Sequence, residues 1–113
     1  MAITYKVLGQ ASPSNTSEAL LYQVGSGKTA IVSSLVITNI TGSAATFTVF
    51  VAKSGEYTAG SPANKQYLAK TVSLAANAFV SLTLGLTLSA SDAIYIISGT
   101  GNALAYNAFG QES

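Results

Sequence analysis

The stretch AIVSSLVITNI-TGSAA-TFTVFVA, Ala30 to Ala52, decides the fold class. Two runs rich in β-branched and aromatic residues flank a short segment of Gly, Ser and Ala. This pattern predicts a long β-hairpin. Thr46 to Val51 are all types that fit a pleated, half-buried surface. Alternation puts Phe47, Val49 and Val51 on one face and Thr46 and Thr48 on the other. Phe50 breaks the rule and places an aromatic on the outer face. In the first run, Ile31, Leu35 and Ile37 share a face, while Val32, Val36 and Ile40 take the other. Such a strand is expected to be covered on both sides.

The same logic extends outward in both directions. Ile3 to Gln10 and Ala19 to Val24 read as strands, separated by the loop ASPSNTSE. Gln66 to Leu74 follows with Leu68, Val72 and Leu74 on one face. Ala78 to Leu84 places Val80, Leu82 and Leu84 inward, and Gly85 to Asp92 crosses over. Ala93 to Ser98 and Ala103 to Phe109 read as a hairpin closed by Gly99 to Asn102. No segment has helical periodicity. About eight antiparallel strands at this spacing predict an all-β, single-domain β-sandwich or jelly roll over residues 1–113, with a small closed barrel as the alternative.

Composition narrows the function classes. The 113 residues are 49 % hydrophobic and only 8 % charged, against about 25 % charged in ordinary soluble domains. Low charge does little to keep a chain monomeric, so burial of its surface in an assembly is expected. A net charge of +1, with five basic residues that are all lysine, is a poor footprint for nucleic acid. With no histidine, the commonest general base and metal ligand is missing. With no cysteine, there is neither a disulfide framework nor a thiolate site. No apolar run approaches the ~18 residues of a membrane span. MAITYKVLGQ lacks the charged and apolar regions of a signal peptide, so synthesis in a cytoplasm is expected. No enzyme activity, catalytic residue, cofactor or metal is expected.

Candidate motifs are few. Gly25-Ser26-Gly27-Lys28-Thr29 resembles the end of a phosphate loop. That motif needs a glycine where this chain has Tyr22, and a helix where this chain has the strand-like AIVSSLVI. It reads as a turn. The carboxylates Glu18, Glu56, Asp92 and Glu112 read as solvated loop or terminal charges. Asn15-Thr16-Ser17 and Asn39-Ile40-Thr41 match the glycosylation pattern by chance. Lys53 to Lys65 is the longest polar stretch, and loops of this length are often functional. Lys53, Glu56, Tyr57 and Lys65 are its candidate partner contacts. Val32, Val36, Ile40 and Phe50 are the candidate self-association face.

Beyond the periodicity, MAITYKVLGQ, GKTAIVSSLVITN, NKQYLAKTVSLAANAFVSLTLGLTLSASD and the ending NAFGQES resemble a family of small virion structural proteins of tailed bacteriophages, notably those of cyanobacteria and other aquatic bacteria. The likeness covers most of the chain and departs from Lys53 to Ala63. The family's motifs are structural, so no catalytic residue carries over. The resemblance implies a non-enzymatic virion subunit: a capsid decoration or cement protein, or a neck, tail or baseplate component. Its partners would be itself and other virion proteins. A trimer suits three-fold capsid sites and is the working expectation, while a ring suits a tail or neck. The alternative is a carbohydrate- or host-surface-binding β-sandwich that uses Tyr57.

The turn reading of Gly25 to Thr29 has a direct check. Calorimetry with ATP and magnesium is expected to show no heat of binding. A micromolar affinity abolished by Lys28→Ala would contradict it.

Overall fold

Both halves of the Ala30–Ala52 stretch are strands, but they are not partners. The computed structural model describes residues 4–113. Its strands are β1 (Thr4–Ala11), β2 (Ala19–Gln23), β3 (Ala30–Asn39), β4 (Ala45–Ala52), β5 (Tyr67–Leu74), β6 (Phe79–Leu88), β7 (Ala93–Ser98) and β8 (Leu104–Glu112). Ile3, expected to open the first strand, lies outside the described residues. Among the described residues the helical content is one 3-10 turn, Asn64–Gln66.

The strands form two four-stranded antiparallel sheets, ordered β1-β8-β3-β6 and β2-β7-β4-β5. First pairs with last, second with seventh, third with sixth and fourth with fifth. The chain is a doubled ribbon rolled into a sandwich, which is the jelly-roll arrangement rather than a closed barrel. Only β4 and β5 are sequence neighbours that pair. Every other connection crosses from one sheet to the other.

This corrects two expected hairpins. β3 lies between β8 and β6, so neither of its edges is open to β4. β7 and β8 likewise belong to different sheets. Asn39 shapes the β3–β4 crossover. It is buried, its amide donates to the carbonyls of Ser43 (2.8 Å) and Leu74 (3.1 Å), and its Oδ1 accepts from Thr41 N (3.0 Å) and Thr41 Oγ1 (2.8 Å). That uses both amide hydrogens and both lone pairs, as a buried amide requires. Glycosylation of Asn39 is therefore incompatible with the fold.

Bulges decide which residues reach the core. Val32 opposes Leu86 and Gly110, but Ser34 opposes Thr83 and Phe109. Ser33 is the extra residue, and its hydroxyl donates to the Phe109 carbonyl (3.1 Å). One inserted residue reverses the alternation. Val32 therefore joins Leu35 and Ile37 in the core, and Ile31 faces out. On β6 the bulge falls at Leu84 and Gly85, where Gly85 has φ +62°. Leu86 and Leu88 turn inward, Leu84 is left partly exposed, and the strand runs on to Leu88 instead of crossing over at Gly85. On β5, Thr71 has φ +52° at a third bulge and donates its N–H to Thr48 Oγ1 (2.9 Å). Leu68 and Val72 are exposed on this edge strand, and only Leu74 is buried as expected.

Phe47 and Val49 point between the sheets against Ile94, Ile96 and Leu104. Truncating Phe47 to Ala is expected to cost ~3–5 kcal/mol, the range for a fully buried aromatic. Leu68→Ser on the exposed side of β5 is expected to stay within about 0.5 kcal/mol. Urea denaturation of both variants checks the assignment of faces.

Candidate functional site

Two surfaces stand out, one on the outer face of each sheet. On the β2-β7-β4-β5 sheet, Phe50 opposes Tyr95 of β7 and Tyr67 of β5. The Phe50 ring stacks on Tyr95 at 5.2 Å between centroids and meets Tyr67 edge-on at 6.1 Å. The segment between β4 and β5 folds over this row as a strap. Its Tyr57 ring lies on Tyr95 at 4.1 Å and 6° between planes. The Lys70 ammonium sits 5.0 Å from the Tyr67 centroid. Phe50 is thus on the outer face, as its position in the alternation requires, yet it is 0 % exposed.

The carboxylates hold the strap. Glu18 Oε1 accepts from the Tyr57 hydroxyl (2.7 Å) and from Gly60 N (2.9 Å). Glu56 pairs with Lys65 at 3.2 Å. Asp92 accepts from Ser54 N and Ser89 N, both at 2.9 Å. Gln66 accepts from Ala63 N (3.1 Å) and donates to the Glu56 carbonyl (3.1 Å). Away from the strap, at the end of β8, Glu112 accepts from the Tyr22 hydroxyl (2.7 Å) and pairs with Lys6 at 3.3 Å. The Tyr22 bond, followed by Lys6, holds the Glu112 carboxyl below its ordinary value. Glu56 is exposed, as a solvated charge should be, but Glu18, Asp92 and Glu112 are partly buried and bonded. The Tyr57–Glu18, Ser54–Asp92 and Tyr22–Glu112 bonds join residues far apart in the chain, so the chain order gives no sign of them.

Strap and sheet enclose an open cleft of about 520 Å³, with Thr16, Ser17, Glu18, Tyr57, Pro62 and Tyr67 among its walls. Glu18 Oε2 is closed off from solvent, and no donor among the described residues reaches it.

Of the expected partner contacts, the structure brings Glu56 and Lys65 together and builds Tyr57 into the ring stack. Lys53 is exposed at the start of the strap, where its carbonyl accepts from Glu56 N (2.9 Å). The expected self-association face does not exist as one surface. Val32 is 0 % exposed in the core because of the Ser33 bulge, and Phe50 lies under the strap. Val36 is half-buried, and Ile40 is 56 % exposed on the crossover.

The outer face of the β1-β8-β3-β6 sheet carries a different set. Tyr5 (79 % exposed) and Ile31 both oppose Gln111, and Val7 opposes Phe109 in the next row. Phe79 (69 % exposed) stands at the far end of β6. Between them, Gln10 Nε2 donates to Asn107 Oδ1 across the strands (2.6 Å). Period-2 alternation groups Tyr5 with Val7 as an apolar face, which by pattern alone reads as the inward one; the structure turns it to solvent. Grouping it with Ile31 needed the β1–β8–β3 register.

Gly25 to Thr29 is a turn closed by Lys28 N donating to the Gly25 carbonyl (3.1 Å). It leads into β3, so there is no helix N-terminus to face a phosphate. Among the described residues no three metal-ligating side chains cluster, and no helix is long and apolar enough to cross a membrane.

No family model matches the sequence, and no curated protein matches it. The fold is similar to part of a chain in the solved structure of infectious bursal disease virus, Gx strain, with a TM-score of 0.51 and 14 % identity. The match covers 98 % of this chain and 31 % of that one. At this identity the likeness is one of fold.

The strap latch has a spectroscopic signature. The hydrogen bond to Glu18, followed by burial, pushes the Tyr57 hydroxyl from its ordinary 10.0 up to about 12. A raised folded value means that the latch contributes fully below pH 10.0 and is lost as pH climbs towards about 12. In an alkaline phenol titration, Glu18→Gln is expected to return Tyr57 towards 10.0, while Glu112→Gln leaves it unchanged.

Proposed function

We propose that this protein is a non-enzymatic structural subunit of a virus particle, working through self-association and contacts with other virion proteins. The observation that carries this reading is the bare outer face of the β1-β8-β3-β6 sheet. Tyr5, Val7, Ile31 and Phe79 stand in solvent on a chain with too few charges to keep such surfaces apart. Two further points support it. The jelly roll is a fold that capsid subunits use, although lectins and cupins share it, and the similar chain comes from a virus structure. The resemblance in the strand and turn segments makes a tailed bacteriophage the source we favour, with a decoration or cement role on the capsid, or a place in the neck, tail or baseplate. Copies made in the host cytoplasm would join the virion. A closed homo-oligomer, a trimer at three-fold sites or a ring in a tail, would cover the bare face with copies of itself.

The carbohydrate-binding alternative draws on the ring-lined cleft beside Tyr57 and Tyr67.

Light scattering of the purified protein at micromolar concentration is expected to give a multiple of 11.5 kDa. Ile31→Glu is expected to reduce the assembly and to lower incorporation into particles seen by electron microscopy of labelled virions. A mass of 11.5 kDa for the wild type, with Ile31→Glu incorporated normally, would remove this face from the proposal.

A further inference from the structure

We propose that strand β6 pairs, edge to edge, with β6 of a second copy of this chain about a two-fold axis, joining two four-stranded sheets into one. Among the described residues β6 ends its sheet, with β3 as its ladder partner. The Asn39 N–H donates to the Ala78 carbonyl (2.8 Å), which sets the phase of the β3–β6 ladder. Antiparallel ladders alternate bonded and unbonded pairs, so Val80 and Leu82 spend their backbone groups on Ile37 and Leu35. The N–H and C=O groups of Phe79, Ser81 and Thr83 point the other way. β8 gives the same phase. There the Ile40 N–H donates to the Ala103 carbonyl (2.9 Å), which leaves Thr38, Val36 and Ser34 bonded to β8 rather than to β6. Among the described residues no strand lies beyond β6, and no turn or loop backbone takes up its outward groups. Phe79, Ser81 and Thr83 are exposed, and Val80 and Leu82 are only half-buried at the rim of the core.

An open strand edge invites pairing, and folds normally protect it. The other three edges are protected. β1 carries Lys6 and a bulge, and its Gly9 lies so close to the Leu21 carbonyl of β2 that a Cβ there would clash. β2 is short, at five residues. β5 carries Lys70 and the Thr71 bulge. β6 has ten residues with neither charge nor proline, and its bulge comes only after Thr83. The charge pattern selects a second copy as the occupant. Two-fold pairing brings side chains near their own copies, so a charge in the strand would repel itself. From Thr71 to Ser91 the chain has no charged residue. The outward groups also fix the register. With Ser81 opposite Ser81, Phe79 meets Thr83 of the second copy, and the bonded pairs exchange about six N–H···O=C bonds. In the intervening pairs Val80 meets Leu82 of the second copy, so the half-buried rims of the two cores cover each other. The inference rests on the self-association in the reading above and assigns it to a strand edge, in addition to the bare face.

The test is residue-resolved amide hydrogen exchange by NMR on the full chain, with light scattering on the same samples. In the wild type, the amides of Phe79, Ser81 and Thr83 are expected to exchange about tenfold or more slower than in Ser81→Lys, which sets two ammonium groups across the axis. The mass is expected to fall in that variant. Ser81→Pro, which removes an N–H that β3 does not use, is expected to act in the same way. Val80 and Leu82, bonded to β3, are expected to stay protected in all samples, which shows that each variant is folded. Ile31→Glu is expected to leave the edge protection in place. A wild-type multimer whose edge amides exchange freely would overturn the edge pairing and leave the bare face standing. Edge protection in a dimer whose mass Ile31→Glu does not change would support the pairing and remove the bare face. Edge protection that survives Ser81→Lys would overturn the pairing. A wild type that stays at 11.5 kDa with free edge amides would overturn both contacts in solution.

Discussion

Strand β3 finds its partners β6 and β8 only after the chain between them has been laid down in and out of the other sheet. The β4–β5 pair is the one ladder whose strands are joined within their own sheet, by the strap. From it the ladders nest outward: β3–β6, then β2–β7, then β1–β8. Loop-closure entropy rises with each step, while each new ladder adds buried apolar area that offsets it. Neither sheet can form without the other, because each crossover deposits its next strand on the opposite side. Cooperativity is thus built into the topology, and the core residues Phe47, Val49, Ile94 and Ile96 of one sheet and Leu35, Ile37 and Leu104 of the other are the common surface that rewards it.

The β4–β5 connection also explains the strap. β4 is apolar on its inner face and carries an aromatic among threonines on its outer one. Its inner face meets the other sheet, and its outer face carries Phe50. A tight turn would have left Phe50 and Tyr95 in water. The longer connection brings Tyr57 back over them, and Glu18 fixes the return from the end of a different crossover. Holding the strap in this way leaves one buried Glu18 oxygen without a donor among the described residues. The unsatisfied group follows from using a two-oxygen acceptor for a job that one oxygen completes.

Strand positions were largely legible in the sequence because they are local. Period-2 alternation and Gly, Pro, Asn and Ser turns placed eight strands close to where they lie, and β7 matches to the residue. Partners were not legible, because nested pairing leaves no local trace. The turns that end β3 and β7 look like hairpin turns until Asn39 is seen bonded to Leu74, or Asn102 to Pro13. Faces failed wherever a bulge intervened. Ser33 and Thr71 are ordinary strand residues by type, so nothing marked the reversals that moved Val32 inward and Leu68 outward. Gly85 was the one visible marker, and it was read as the end of a strand rather than a bulge within it. Of the candidate site, Tyr57 was legible as an aromatic in a polar loop. Its link to Glu18, 39 residues away, was not.

Charge is scarce in this chain, and the structure spends most of it internally. Lys6, Lys65, Glu56 and Glu112 neutralise one another in two ion pairs. Asp92 and Glu18 hold backbone N–H groups, and Lys70 lies over a ring. Lys28 and Lys53 remain outside any ion pair among the described residues. Little long-range field is left to steer a partner, so recognition must come from contact. Under the proposed function, the bare sheet face would hold a partner by removing apolar area from water, which dissolved salt does not screen. The exposed Lys65–Glu56 pair, by contrast, is an attraction that salt weakens as the screening length shrinks. Assembly through the sheet face would therefore be indifferent to ionic strength even where the strap's own ion pair is not.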